Sequence, residues 1–270
     1  KQVREIKEGQ NDKNKTISHP TIFHEILNAK GLPEEDKSTI RLTDEAQVLM
    51  MAGTLTTAFV FEVATFYLIR KPEILRKVKE ELRQAIPDPD KMVPVAQLEQ
   101  LTYLNAVIKE TLRLTYGVAG RLARLADEPL TYTDKETGKK WIVPANTPIG
   151  MSIFPDSKEY KPERWLDAAG KMNLKMDKYL MSFTRGSRQC LGMPLSYAEM
   201  YLGFSKIWNV YGSKGGVTET GEEYEGVRLD GDIGVWELYK TGRKDVDLYA
   251  DSFLPLVKPG GVGIRVMVSP

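Results

Sequence analysis

The sequence predicts a mainly α-helical chain with small β-sheets, an α+β fold. Three observations predict it. Residues 46–69 form one apolar stretch of helix length, residues 74–86 and 101–115 carry the amphipathic period of helices, and the Gly-rich tail holds only short apolar runs. The 270 residues contain 41% hydrophobic and 28% charged side chains, with 38 Lys plus Arg against 37 Asp plus Glu. This is the balance of a globular chain and excludes a disordered or collagen-like one. The near-neutral charge argues against a nucleic-acid partner, which would select a basic excess or stripe. One cysteine excludes a disulfide framework and a multi-cysteine zinc site, and two histidines leave little for a His-based metal centre.

The elements follow in order. The opening Lys-Gln-Val-Arg-Glu-Ile-Lys-Glu lacks the apolar core of a signal peptide. Residues 1–18 are polar, frayed or helical at their end, and residues 20–29 read as a short helix closed by Gly31 and Pro33. Thr43 and Asp44 are N-cap candidates for the long apolar helix, which ends near Arg70. Glu62 and four threonines interrupt that helix, so it reads as a core helix rather than a membrane span. Pro72 opens the next helix, where Arg76, Lys77, Lys79, Glu80, Glu81 and Arg83 surround an apolar stripe. Pro87, Pro89 and Pro94 mark a loop before the helix at 101–115. Residues 130–143 read as two strands with a turn near Gly138, residues 154–189 as a long irregular segment, and residues 191–211 as helix again. Short strands follow, including 263–268.

Cys190 by itself reads as a small buried hydrophobe. Its surroundings change that. Phe183, Gly186, Arg188, Cys190 and Gly192 compose F-x-x-G-x-R-x-C-x-G, five fixed positions in ten residues. With this motif the sequence resembles the cytochrome P450 family of haem-thiolate monooxygenases. The resemblance implies that the Cys190 thiolate is the axial ligand of haem b iron and that Arg188 pairs with a haem propionate. It also implies that Phe183 covers the sulfur, that Gly186 allows a tight turn, and that Gly192 lets backbone approach the ring.

Three further motifs occur in the family's order. Glu110-Thr-Leu-Arg113 alone would be an ordinary solvated i,i+3 pair. With Pro162-Glu163-Arg164-Trp165 downstream, the resemblance implies a buried structural network of Glu110, Arg113 and Arg164. Ala52-Gly53-Thr54-Leu55-Thr56-Thr57 alone would be a small-residue packing patch. In the family, Gly53 leaves room for dioxygen and Thr56 assists oxygen activation. Leu55 departs from the pattern, standing where an acid is usual, so protons would travel through water, Thr56 and Thr57, or another group. Arg124 follows Glu110 at the offset of a second propionate-binding arginine, or is an exposed strand-end arginine. Val118 and Leu122 fit an apolar substrate pocket. His19 and His24 have no metal-ligand pattern.

The resemblance covers nearly the whole chain but only the C-terminal half of a single P450 domain. The helices and tail look most like a fungal subgroup that includes terpenoid oxygenases. Residues 1–270 are therefore expected to be the C-terminal part of one incomplete P450-like domain, without its N-terminal half and membrane anchor and with an internal gap near 153–154. The implied activity is oxidation of a small apolar molecule with dioxygen and electrons from an NADPH-dependent reductase at the proximal face. A full-length parent would reside in the endoplasmic reticulum membrane, whereas this chain carries no anchor. Alone, it is expected to retain haem poorly. The competing readings are a truncated, non-catalytic haem-binding remnant and a helical scaffold without haem.

Overall fold

A computed structural model describes residues 2–8, 21–117, 128–134, 136–145, 154–250, 256–261 and 263–270. His19, Val118, Leu122, Arg124 and the junction at residue 153 lie outside the described residues. The chain divides into two compact units, Lys1–Leu55 and Thr56–Pro270. The expected α+β character holds, with helices dominating and three two-stranded sheets and one three-stranded sheet among the described residues.

In the first unit, α1 spans Gln2–Lys7 and α2 spans Ile22–Asn28. Thr21 and His24 close a capping box at the start of α2, with the Thr21 hydroxyl 2.7 Å from His24 Nδ1. That contact gives His24 a local structural task. The long helix α3, Thr39–Arg70, begins earlier than Thr43 and Asp44 suggested. Ser38 caps it, its Oγ accepting the Arg41 N–H at 3.3 Å. Thr43 instead turns its hydroxyl back to the Thr39 carbonyl at 2.7 Å, inside the helix. Val48, Met50, Met51 and Leu55 are exposed along this part of α3. The helix is long and apolar enough to cross a membrane by length and composition.

The second unit holds the main core. The rest of α3 packs there with α4 (Pro72–Ala85), the short α5 (Val95–Leu98), α6 (Thr102–Thr115) and, later in the chain, α7 (Met193–Val210). Pro72 occupies the first turn of α4 as expected. Ile74, Leu75, Val78 and Leu82 form its buried stripe, and Lys79 lies within that stripe, not around it as its charge suggested. Its ammonium, fully buried, donates to the carbonyls of Trp208 and Tyr211 at 3.0 and 2.7 Å and to Asp232 Oδ1 at 2.8 Å. Burial lowers the Lys79 pKa, and the Asp232 carboxylate opposes that shift. Arg83 shares the same Asp232 oxygen at 2.6 Å.

Leu101, at the start of α6, has no side chain able to cap. Glu81 reaches across from α4 and accepts the N–H groups of Tyr103 and Leu104, both at 2.8 Å. Strands β1 (Leu130–Thr133) and β2 (Lys140–Val143) form the expected antiparallel pair, with Gly138 at φ 68° in the turn. Residues 154–189 are irregular apart from 3₁₀ turns at Pro162–Trp165 and Leu174–Tyr179.

After α7, β3 (Tyr211–Ser213) leads to the β4–β5 pair (Gly216–Val217 and Glu223–Tyr224). Strand β6 (Gly234–Leu238) runs parallel to β3, and a β7–β8 pair (Leu248–Ala250 and Leu256–Val257) follows. The chain closes on β9 (Val266–Ser269), antiparallel to β6. The three-stranded order is thus β3-β6-β9.

Candidate functional site

The cysteine loop is built by its own backbone. Thr184 and Gly186 sit at φ 56° and 87°, so the loop makes left-handed turns at both residues. Only glycine takes the second without strain. The Cys190 N–H donates to the Phe183 carbonyl at 3.0 Å, and the Gln189 N–H to the Gly186 carbonyl at 3.0 Å. Gly192 then caps α7, whose second residue is Pro194. Phe183, Gly186, Arg188, Cys190 and Gly192 are therefore brought together on one tight loop leading into a helix.

The outward face of this loop has the chemistry a haem would require. Cys190 is an exposed free thiol. Leu191, just before α7, and Leu195, in its first turn, are 81% and 63% exposed, although Met200, Tyr201, Phe204 and Trp208 further along α7 are buried. Arg188 is exposed and has no carboxylate partner among the described residues. A Cβ at Gly192 would meet only the Cys190 sulfur, at 3.9 Å. Packing within the described residues thus does not demand glycine there. A soft sulfur donor, exposed apolar side chains beside it and a cation for an acidic edge fit an iron porphyrin.

The loop also borders a cleft of about 250 Å³ lined by Lys109, Asp177, Phe183, Arg185, Gln189 and Tyr197, among others. Lys109 pairs with Asp177, and Arg185 donates to the Asp177 carbonyl. Phe183 packs on Tyr197 with ring centroids 5.2 Å apart. Burial, with a smaller contribution from Asp177, pushes the Tyr197 hydroxyl up to about 12.

The charge network lies where the irregular segment meets α6. Glu110 is fully buried and takes five hydrogen bonds. Arg113 Nε and Nη2 donate at 2.9 Å each, Arg164 Nε at 3.0 Å, the Lys161 N–H at 2.7 Å and Trp165 Nε1 at 3.0 Å. Arg113 extends to the carbonyls of Ser157 and Glu159, and Arg164 to those of Pro155 and Asp156. The solvated-pair alternative for Glu110 and Arg113 is thereby excluded. Sequence reasoning missed Trp165 and the Lys161 amide as partners. Nearby, Glu163 accepts from Lys77 at 2.8 Å and from the Tyr103 hydroxyl at 2.7 Å. Burial alone would raise the Glu163 pKa, but these bonds hold it below the ordinary value of 4.5.

The threonine patch is divided between the two units. Gly53 and Leu55 fall in the first and are exposed. Thr56 and Thr57 open the second. Thr57 is buried and shares a hydrogen bond with Ser196 Oγ at 3.3 Å, tying α3 to the helix that follows Cys190. Arg124 lies outside the described residues.

Comparison with known proteins extends the likeness beyond this loop. A cytochrome P450 family model matches residues 2–211. A relative named cytochrome P450 monooxygenase tpcC, from Cochliobolus heterostrophus, is 39% identical over all of this chain and 50% of its own length. Cytochrome P450 monooxygenase astB of Talaromyces wortmannii is 40% identical over 99% of this chain and 54% of its own. Fusicoccadiene C-8 hydroxylase of Phomopsis amygdali is 36% identical over 92% and 44%. The chain spans about half the length of the curated relatives it matches. With a family match over most of its length and relatives 39% and 40% identical across it, the chain belongs to the cytochrome P450 family.

Proposed function

We propose that this chain is the C-terminal part of a haem-thiolate monooxygenase that oxidises a small apolar organic molecule with dioxygen and electrons from an NADPH-dependent reductase. The observation that carries the proposal is the exposed Cys190 thiol flanked by exposed Leu191 and Leu195, with the exposed Arg188 two residues before it, which has no carboxylate partner among the described residues. Bound haem b would supply the iron that activates oxygen. Cys190 would ligate it as thiolate, Arg188 would hold a propionate, and Arg124 is the proposed second propionate contact. Phe183 would keep water from the sulfur, Gly186 would set the turn, Gly192 would let backbone approach the ring, and Gly53 would leave room for dioxygen. Glu110, Arg113 and Arg164 are structural.

Thr56 is the proposed catalytic residue, holding and passing a proton through its hydroxyl oxygen. Leucine at 55 carries no proton, so delivery would depend on Thr56, Thr57 and water. The reductase would dock on the proximal side, near the cysteine loop. The longer protein would be anchored in the endoplasmic reticulum membrane.

Leu55 also favours a second reading, a haem-binding remnant without turnover. Reduction of the haem-reconstituted protein under carbon monoxide tests the first step. A thiolate-type Soret band that disappears in Cys190→Ala supports the ligand assignment, and an unchanged spectrum in that variant refutes it. Product formation with reductase, NADPH and a panel of apolar substrates separates enzyme from remnant. A haem-bound protein without turnover favours the remnant.

A further inference from the structure

We propose that Ser182 is a positioning residue for Cys190, seating the cysteine loop on the end of α6; the role assigned to Cys190 rests on the function proposed above. Two contacts join the same two segments. Ser182 Oγ donates to the Leu112 carbonyl at 2.7 Å. That carbonyl is among the last four of α6, which have no backbone partner within the helix; the Thr115 hydroxyl also donates to it, at 3.2 Å. Secondly, α6 ends with Tyr116 and Gly117, both left-handed at φ 59° and 69°. This places Gly117 directly against Ser182, where a Cβ would stand 2.3 Å from the Ser182 carbonyl oxygen. Gly117 thus serves both the turn and the close approach.

The next residue carries the effect to the thiol. Phe183 follows Ser182, and its carbonyl accepts the Cys190 N–H at 3.0 Å. The route from α6 to the proposed ligand is therefore Leu112 carbonyl, Ser182 hydroxyl, Phe183 carbonyl, Cys190 amide. Glu110 and Arg113 lie on the same helix and hold its other neighbour, residues 157–165. One helix would then set both the irregular segment and the cysteine loop. Nothing in the F-x-x-G-x-R-x-C-x-G pattern points to position 182, which lies just outside it.

The test is amide hydrogen exchange on the intact chain and on Ser182→Ala and Ser182→Thr, with no haem added. Loss of one hydrogen bond is expected to speed exchange at the Cys190 amide about fivefold, while core amides of α4 around Val78 keep their protection. Ser182→Thr, which keeps the hydroxyl, restores the slow rate. Gly117→Ala, pressing on the Ser182 carbonyl, speeds the same amide. Unchanged Cys190 exchange in Ser182→Ala, or a loss of protection spread equally over α4, overturns the proposal. Where haem is taken up, Ser182→Ala should also shift the reduced carbon-monoxide spectrum from the thiolate toward the thiol form. Haem uptake with an unchanged spectrum in Cys190→Ala refutes the functional reading, while Ser182 is decided by exchange alone.

Discussion

Replacing Glu110 by Gln keeps the shape of the side chain and removes its charge. The carboxylate is fully buried and faces donors from Arg113, Arg164, Lys161 and Trp165. The amide can keep one oxygen toward Arg164 and the Lys161 N–H. Its NH2 group then points at Arg113 Nε and Trp165 Nε1, both donors, so two acceptor contacts become two donor clashes. Two largely buried guanidiniums are also left without a counter-charge. Breaking a buried pair in this way costs about 3–5 kcal/mol, a large share of the roughly 5–15 kcal/mol that holds a domain folded. With an m-value of about 2–3 kcal/mol/M, the urea midpoint should fall by more than about 1 M. Equilibrium unfolding followed by tryptophan fluorescence reads this directly, because Trp165 belongs to the network. A fall of less than about 0.3 M would show that Glu110 does not carry the charge balance drawn here. Glu110→Ala should cost at least as much.

Other predictions concern separate parts of the chain. Because the Glu163 pKa is depressed from 4.5 in the fold, its stabilisation is complete above 4.5 and lost as pH falls through the depressed value. Urea midpoints of wild type and Glu163→Gln should therefore differ at neutral pH and converge in acid; a constant gap would sink this linkage. Asp232→Asn should destabilise by about 3–5 kcal/mol, since Lys79 would be left buried without its counter-charge. Lys79→Met should cost clearly less, because Arg83 still pairs with Asp232; denaturant titration of both variants gives the order. Thr57→Val should cost about 1 kcal/mol, and a double-mutant cycle with Ser196→Ala should be non-additive. Additive losses would mean that the hydroxyls do not interact.

The cysteine loop was legible because its determinants are local. A left-handed glycine, a helix-capping glycine and the cysteine fall within ten residues and need no distant partner. The pairing of Glu110 with Arg113 was half legible. Their spacing shows that they can meet, but their burial depends on Trp165 and the Lys161 amide, which arrive from more than fifty residues downstream. Lys79 was misplaced for the same reason. On an amphipathic helix a lysine beside the stripe reads as solvated, and only the return of Asp232 and of the α7 C-terminal carbonyls makes its burial tolerable. At α3, Thr43 resembled a cap because threonine can serve either at a cap or within a helix, and Ser38 had already supplied the bond. The short α5 escaped notice because it starts immediately after Pro94, where the proline-rich stretch read as loop.

The shared oxygen of Asp232 also sets a direction on change over time. A lineage exchanging this ion pair for apolar packing has two first steps available, and they are not equivalent. Losing the lysine first leaves the carboxylate satisfied by Arg83 and the Leu229 amide. Losing the carboxylate first strands a fully buried ammonium. Substitution at position 79 should thus precede substitution at 232 wherever both have drifted, and chains with an apolar residue at 232 should seldom retain lysine at 79. An ancestral reconstruction across related chains can read that order directly.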